Sequence, residues 1–237
     1  MPANDPTKTS SSAAHGPLRS FGRIKSRAIK PRQAALFDTL LPTLALPDPA
    51  AGLLDPLALM PDSKQVWLEI GFGGGEHLAA QAARHADALM IGCEPFLNGV
   101  GSALRHIDEG GLKNVRLHAD DARAVVDALP DASLDRIMIL FPDPWHKARH
   151  NKRRLIQEDS AAGIARLLKP GGRLRFVTDW KDYAEWALER FERTPGLVRQ
   201  VDPSDDGFTA PADHVVTRYE EKKLGDTAPI FLDFRRV

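Results

Sequence analysis

From Lys64 onward, short apolar runs alternate with stretches in which apolar positions return at helical spacing. Val66–Ile70 reads as a strand, followed by a glycine-rich loop and a helix to about His85. Leu89–Cys93 is a second strand with a helix to about Ile107, and Val115–His118 is a third with a helix from Asp121 to Leu129. Ile137–Phe141 is a fourth, strongly apolar strand. Leu174–Val177 is a fifth, opened by a break at Lys169-Pro170-Gly171-Gly172. Trp180, Tyr183, Ala184, Ala187, Leu188 and Phe191 then fall at helical spacing, and Ile230–Phe234 closes the series as a last strand. Strands apolar enough to be buried on both faces, alternating with helices, predict an α/β fold: a mostly parallel, twisted sheet with helices on both faces. In such sheets ligands bind outside the carboxyl ends of the strands.

Upstream, a helix is expected after Pro31, through Leu36, Phe37, Leu40 and Leu41. Pro42, Pro47, Pro49, Pro56 and Pro61 then make a loop-rich bridge. Residues 31–237 are therefore read as one domain, with 31–63 forming its N-terminal helix and Pro-rich bridge. Residues 1–32 hold seven basic side chains against one acid, Asp5. This composition predicts a basic, disordered arm over about residues 1–30. A mitochondrial transit peptide shares that composition, but Pro2, Pro6, Gly16 and Pro17 would break the amphipathic helix it needs.

The chain has 237 residues, 43% hydrophobic and 27% charged, which excludes collagen-like, coiled-coil and wholly disordered classes. No apolar stretch approaches the roughly 18–20 residues that cross a bilayer, so no membrane partner is expected. The lone cysteine, Cys93, excludes an internal disulfide framework and a cysteine-based zinc site. It points to a reducing compartment, and a cytoplasmic location is expected. The formal net charge of zero conceals an uneven distribution.

Four acids sit at predicted strand ends: Glu69, Glu94, Asp121 and Asp143, separated by 25, 27 and 22 residues. Each spacing is about one strand-plus-helix repeat, so one edge presents a carboxylate every time the chain returns. Singly, each also reads as a helix N-cap or loop residue. The loop Glu69-Ile70-Gly71-Phe72-Gly73-Gly74-Gly75 brings backbone N–H groups close to a ligand. A dinucleotide fingerprint G-x-G-x-x-G fails from either starting glycine, because Glu76 or Leu78 stands at its last position. The pattern E-x-G-x-G-x-G instead resembles the first motif of Rossmann-like S-adenosylmethionine-dependent methyltransferases. Glu94, 19 residues after Gly75, is placed to accept ribose hydroxyls with either cofactor.

Phe141-Pro142-Asp143-Pro144-Trp145 follows the fourth strand, its prolines stiffening the exit and aiming Asp143. Trp145 reads either as an aromatic that stacks on a flat substrate or as the buried side chain of a Pro-rich turn. The run from His146 to Arg154 holds five permanent cations (Lys147, Arg149, Lys152, Arg153, Arg154) and no acid. Asp143 and Asp179 are 36 residues apart, which suggests roughly ten extra basic residues inserted beside the pocket. A solvated face and a nuclear-localisation signal are alternative readings, but like charges crowded at a site edge favour a polyanion. His146 and His150 are four residues apart, as metal ligands can be, yet five cations around them oppose a divalent ion. No metal is therefore expected. Neither a G-x-S-x-G elbow nor a Walker loop is present.

Taken together, these motifs resemble bacterial tRNA (guanine-N7)-methyltransferases of the TrmB type over about residues 64–236. The resemblance rests on Glu69–Gly75, Gly92–Pro95, Phe141–Lys147, His150–Arg154, Thr178–Trp180 and Thr217–Glu220. It implies a class I methyltransferase fold, S-adenosylmethionine as cofactor and tRNA as partner. The implied reaction methylates N7 of guanine in the tRNA variable loop, position 46 in the usual tRNA count, on a protein acting as monomer or homodimer. By this resemblance Glu69, Gly71, Gly73, Gly75, Glu94, Asp121 and Asp143 line the cofactor site, with Asp121 toward the adenine amino group and Asp143 also the catalytic candidate. Lys147, Asp179, Thr217, Arg218, Tyr219 and Glu220 would contact substrate, and Arg149, His150, Asn151, Lys152, Arg153 and Arg154 would touch RNA. Rival readings are a protein or small-molecule methyltransferase, a non-catalytic RNA-binding module and a nicotinamide oxidoreductase.

Overall fold

The computed structural model describes residues 28–201 and 208–237, so all but the last three residues of the expected basic arm lie outside the described residues. Seven strands form one sheet: β1 (Gln65–Ile70), β2 (Ala88–Cys93), β3 (Val115–His118), β4 (Leu134–Leu140), β5 (Leu168–Thr178), β6 (Leu197–Gln200) and β7 (Ile230–Arg236). Their order is β3-β2-β1-β4-β5-β7-β6. Strands β1–β5 are parallel, and β7 runs antiparallel to both β5 and β6. The predicted strands are all present, as is the mostly parallel sheet.

Helices α4 (Glu76–Arg84) and α5 (Leu97–Gly110) pack one face of the sheet, where Leu78, Val100, Leu104 and Ile107 meet Trp67, Met90, Leu117 and Met138. Against the opposite face pack α6 (Ala122–Ala128), α7 (Glu158–Leu167) and α8 (Lys181–Arg193), burying Val125, Ile164, Tyr183 and Phe191 on Leu68, Ile137, Phe176 and Phe234. Upstream, α1 (Pro31–Thr39) starts at Pro31 itself, whose fixed φ suits a first helical turn. It is followed by α2 (Leu41–Leu44) and α3 (Pro56–Leu59). No helix among the described residues is long and apolar enough to cross a membrane.

Three features differ from the sequence reading. The Lys169–Gly172 segment is not a break ahead of the fifth strand: β5 starts at Leu168, and the segment is absorbed as a bulge between the pairs Leu134–Leu168 and Arg136–Arg173. Strand β6 was not predicted, because a four-residue edge strand with one buried side chain carries little periodic signal. The long Asp143–Asp179 spacing contains α7, an ordinary crossover helix opened by a Gln157–Ser160 capping box. The extra length therefore lies in the loop over residues 141–157.

The glycine loop is held by packing behind it. Gly75 has φ +79°, and a Cβ there would lie 2.4 Å from the Ala103 Cβ of α5. Only glycine allows α4 to begin there and still touch α5. Gly75→Ala should destabilise the fold by roughly 1–3 kcal/mol and weaken binding at the loop. Adding Ala103→Gly should recover part of the melting temperature but not the strain of the positive φ. Thermal unfolding of the single and double variants checks this, and no recovery would mean that the α4–α5 contact is not the limiting one.

Candidate active site

Because β1 and β4 are neighbours and their crossovers pack on opposite faces of the sheet, a crevice opens at their carboxyl ends. Several of the expected site residues lie near one another there: Gly73 bonds Glu94, and Asp143 is within electrostatic reach of both Glu94 and Tyr219. After β1, Gly71 and Gly73 take φ +75° and +54°, and a Cβ on either would meet nothing within 4 Å. Their open sides leave backbone exposed to a ligand, whereas Gly75 is closed by α5.

Glu94, buried at the end of β2, accepts from the Gly73 N–H (2.8 Å) and the Phe96 N–H (2.8 Å). Its carboxylate thus closes the glycine loop and retains acceptor capacity beyond these two bonds. Burial raises its pKa; the two N–H bonds oppose that rise and nearby Asp143 adds to it.

Glu69, also buried, receives a hydrogen bond from His77 Nδ1 at 2.7 Å. The His77 Nε2 faces Gln81 Nε2 at 3.2 Å, and that amide also donates to the Asp213 carbonyl at 2.7 Å. The amide nitrogen must therefore be a donor. His77 accepts on Nε2 and carries its proton on Nδ1, toward Glu69.

Asp121 caps α6 by accepting from the Arg123 N–H at 2.9 Å, and both its oxygens pair with the Arg123 guanidinium. Burial alone would raise its pKa, but Arg123 outweighs that and holds the carboxyl below its usual value. An adenine amino group would have to share Asp121 with this ion pair.

Past β4, Phe141 and Trp145 adopt positive φ (50° and 43°), strain that non-glycine residues carry at sites held by their surroundings. Asp143 keeps an open face to solvent, but the protein behind it desolvates the carboxyl and raises its pKa.

The C-terminal motif returns across this edge. Arg218 lies 3.9 Å from Glu76, the first residue of α4. The Tyr219 ring lies 5.3 Å from that of Phe141, and its hydroxyl donates to Asp179 at 3.4 Å. Asp179 is buried beyond β5 with a raised pKa, caused first by desolvation. Glu220 turns inward instead, pairing with His214 Nε2 at 2.9 Å, while its N–H donates to the Thr217 hydroxyl at 3.3 Å. Asp179 and Thr217–Glu220 thus assemble beside the glycine loop, with Glu220 holding the turn rather than facing outward.

The basic run forms a short 3₁₀ segment, Ala148–Arg153, with Lys147, Arg149 and Lys152 exposed and Arg153 and Asn151 half-buried. Burial and the neighbouring Arg153, Arg149 and Lys147 hold His150 below its usual pKa. The Arg153 guanidinium lies 5.2 Å from the Trp145 ring, and His146 stacks on Trp180 at 5.5 Å. Trp145 is thus partly engaged within its own loop.

Arg154 corrects the sequence reading. Its side chain is 0% exposed: Nε donates to the Pro144 carbonyl at 2.8 Å, a terminal nitrogen pairs with Asp182, and the guanidinium lies over Tyr183 (4.9 Å) and Trp186 (5.1 Å). An enclosed guanidinium with these partners anchors the loop to α8 and has no face for a phosphate. Among the described residues no group of three or more His, Cys, Asp or Glu is gathered as a metal site.

The sequence motifs did not point to His77, Gln81, Asp213 and His214. Their link to the site runs through tertiary contacts between α4 and a segment more than 100 residues away, as with Gln81 and Asp213.

A family model described as "Putative methyltransferase" matches residues 63–231. A tRNA (guanine-N(7)-)-methyltransferase of Caulobacter vibrioides is 65% identical over 222 residues, covering 94% of this chain and 96% of the relative. One from Hyphomonas neptunium is 48% identical over 218 residues, covering 92% and 99%. Among solved structures, a 16S rRNA (adenine(1408)-N(1))-methyltransferase variant from Catenulisporales acidiphilia with cosubstrate SAM is similar in fold, at TM-score 0.51 and 20% identity, covering 78% of this chain and 92% of that one. The 16S rRNA methyltransferase KamB gives TM-score 0.51 at 13% identity, covering 76% and 91%. With these matches spanning the glycine loop, the Pro-Asp-Pro-Trp exit and the basic segment, the chain belongs to the tRNA (guanine-N7-)-methyltransferase family.

Proposed function

We propose that the protein transfers a methyl group from S-adenosylmethionine to guanine N7 in the tRNA variable loop, at the position named above. The observation that carries this reading is the shared rim. The glycine loop after β1 and the Asp143–Arg153 loop after β4 leave adjacent parallel strands in the same direction.

The cradle suits the cofactor: open backbone at Gly71 and Gly73 and a buried Glu94 with spare acceptor capacity would hold it, with Glu69 and Asp121 alongside. S-adenosylmethionine supplies an electrophilic methyl group when bound. Guanine N7 carries an in-plane lone pair, so no base has to remove a proton first. The protein's tasks are placement and charge. Methylation leaves positive charge on the purine, and the partly desolvated carboxylate of Asp143 stabilises it better than a fully solvated one. In an RNA helix N7 lies in a deep, narrow groove, so the guanine must be presented from a loop. Tyr219, braced by Phe141 and Asp179, and Trp145, beside Arg153, are aromatic surfaces against which it can stack. Exposed Lys147, Arg149 and Lys152 meet the phosphates.

Asp143 works as the carboxylate, so activity is present above its pKa and lost as pH falls through it. Because that pKa is raised, the acid limb of kcat/KM against pH should lie above about 4, the ordinary aspartate value. Asp143→Asn should remove that limb and lower kcat by about 10²–10³-fold, with cofactor affinity much less affected. Equal losses in turnover and cofactor affinity would make Asp143 a binding residue instead.

For the basic segment, log affinity for tRNA should fall with log salt, and Arg149→Ala/Lys152→Ala should reduce that slope by about 1.4, roughly 0.7 per contact. Cofactor binding, measured by calorimetry, should not change. An unaltered slope would reduce the segment to a solvated face.

A further inference from the structure

A second cationic surface lies away from the catalytic rim, on the face of the sheet that α4 and α5 cover over β1–β3. Strand register aligns Trp67, Arg136, Arg173, Arg235 and Val198 in one row across β1, β4, β5, β7 and β6. Three arginines thus stand side by side on three adjacent strands, spanning about 10 Å at the usual strand spacing. Arg175 stands in the next row, opposite Asp233.

The charges are unevenly matched. Asp213 takes Arg136 (2.5 Å) and Arg175 (2.6 Å), and Asp233 takes Arg175 again (2.8 Å). Both arginines pull the Asp213 carboxyl far below its usual range against the effect of burial, so it stays charged. Arg173 and Arg235 are exposed, directly opposite one another, and no partner for either guanidinium occurs among the described residues. Like charges in a cross-strand pair destabilise a sheet. The usual reason for such charge, protection of a bare edge, does not apply, because β6 is the edge strand and β5 and β7 are interior. A cleft of about 220 Å³ opens between these side chains and Gln200.

We propose that Arg173 and Arg235, backed by Arg136, form a second phosphate-contact surface that grips the tRNA backbone away from the methylated base. This rests on the tRNA-methylating activity proposed above. Arg136 precedes the end of β4 by four residues, so the row lies on the order of 13 Å along the strands from the catalytic edge. That separation is short beside a folded RNA and too long for a single nucleotide. One end of the RNA would be held at Arg149 and Lys152, another at this row, and the guanine would be presented between them.

The test compares wild type, Arg173→Gln/Arg235→Gln, Arg173→Lys/Arg235→Lys, and the Gln pair combined with Arg149→Ala/Lys152→Ala. Affinity for an unmodified tRNA transcript is measured against salt. Methyl transfer to the same transcript, cofactor affinity and melting temperature are measured in parallel. The Gln pair should lower the salt slope by about 1.4 and weaken binding on the order of 25-fold at 0.1 M salt, the counterion contribution of two contacts. The Lys pair should keep the slope, the combined variant should show additive losses, and cofactor affinity and kcat at saturating tRNA should hold. If wild type methylates tRNA and the Gln pair leaves the slope unchanged, the second surface is refuted while the activity stands. An unchanged slope with a lowered melting temperature also refutes it, assigning the arginines an internal counter-charge such as Asp202, Asp205 or Asp206, which follow β6 in sequence. If wild type transfers no methyl group to tRNA, the activity itself fails and this surface fails with it.

Discussion

The site depends on one packing constraint: β1 and β4 are parallel neighbours whose crossovers cover opposite faces of the sheet. Crossovers on opposite faces carry the two chains apart, which leaves the carboxyl ends of these strands to loops and not to helices. The two loops differ in chemistry. The loop after β1 offers backbone, since Gly71 and Gly73 leave it uncovered. The loop after β4 offers a carboxylate and cations. Adjacency of two strands thus brings a cofactor cradle and an anion-attracting loop together, although 69 residues separate Gly74 from Asp143.

Such a loop repels itself, and Arg154 explains how it is held. One guanidinium of the run is turned inward, tied to the Pro144 carbonyl and Asp182 and laid over Tyr183 and Trp186. Its Nε and one terminal nitrogen are paired and aromatic faces offset part of its desolvation, while the other terminal nitrogen has no hydrogen-bond partner among the described residues. Its tether fixes the base of the loop, leaving Lys147, Arg149 and Lys152 outside where solvent and counterions reach them. The segment 213–220 is pinned in a comparable way. Asp213 spans Arg136 and Arg175, His214 takes Glu220, and the result is Tyr219 braced between Phe141 and Asp179. Through Gln81 and then His77 the same segment is linked to Glu69, so the segment and the end of β1 share one hydrogen-bonded chain.

A formal charge of zero says little about where the protein is positive. Many acids are consumed internally: Asp121 on Arg123, Asp182 on Arg154, Asp213 on two arginines and Asp233 on one of them. Cations left over after that pairing gather at the loop after β4 and on the Arg173–Arg235 row. Salt-dependent association with a polyanion is governed by such local excess and not by the sum.

The sequence by itself determined the order of elements and which carboxylates would share an edge, because periodicity and turn chemistry are local and the strand-plus-helix repeat places Glu69, Glu94, Asp121 and Asp143 in phase. It also determined that a cationic segment would adjoin that edge, since the segment follows Asp143 directly. Tertiary structure alone decided that Arg154 would face inward while its neighbours faced out, because that depends on Tyr183, Trp186 and Asp182 arriving from α8. It alone decided that β7 would insert antiparallel between β5 and β6, and so that Arg136, Arg173 and Arg235 would form one row. Register between distant strands is set by which elements become neighbours, and no local propensity encodes that.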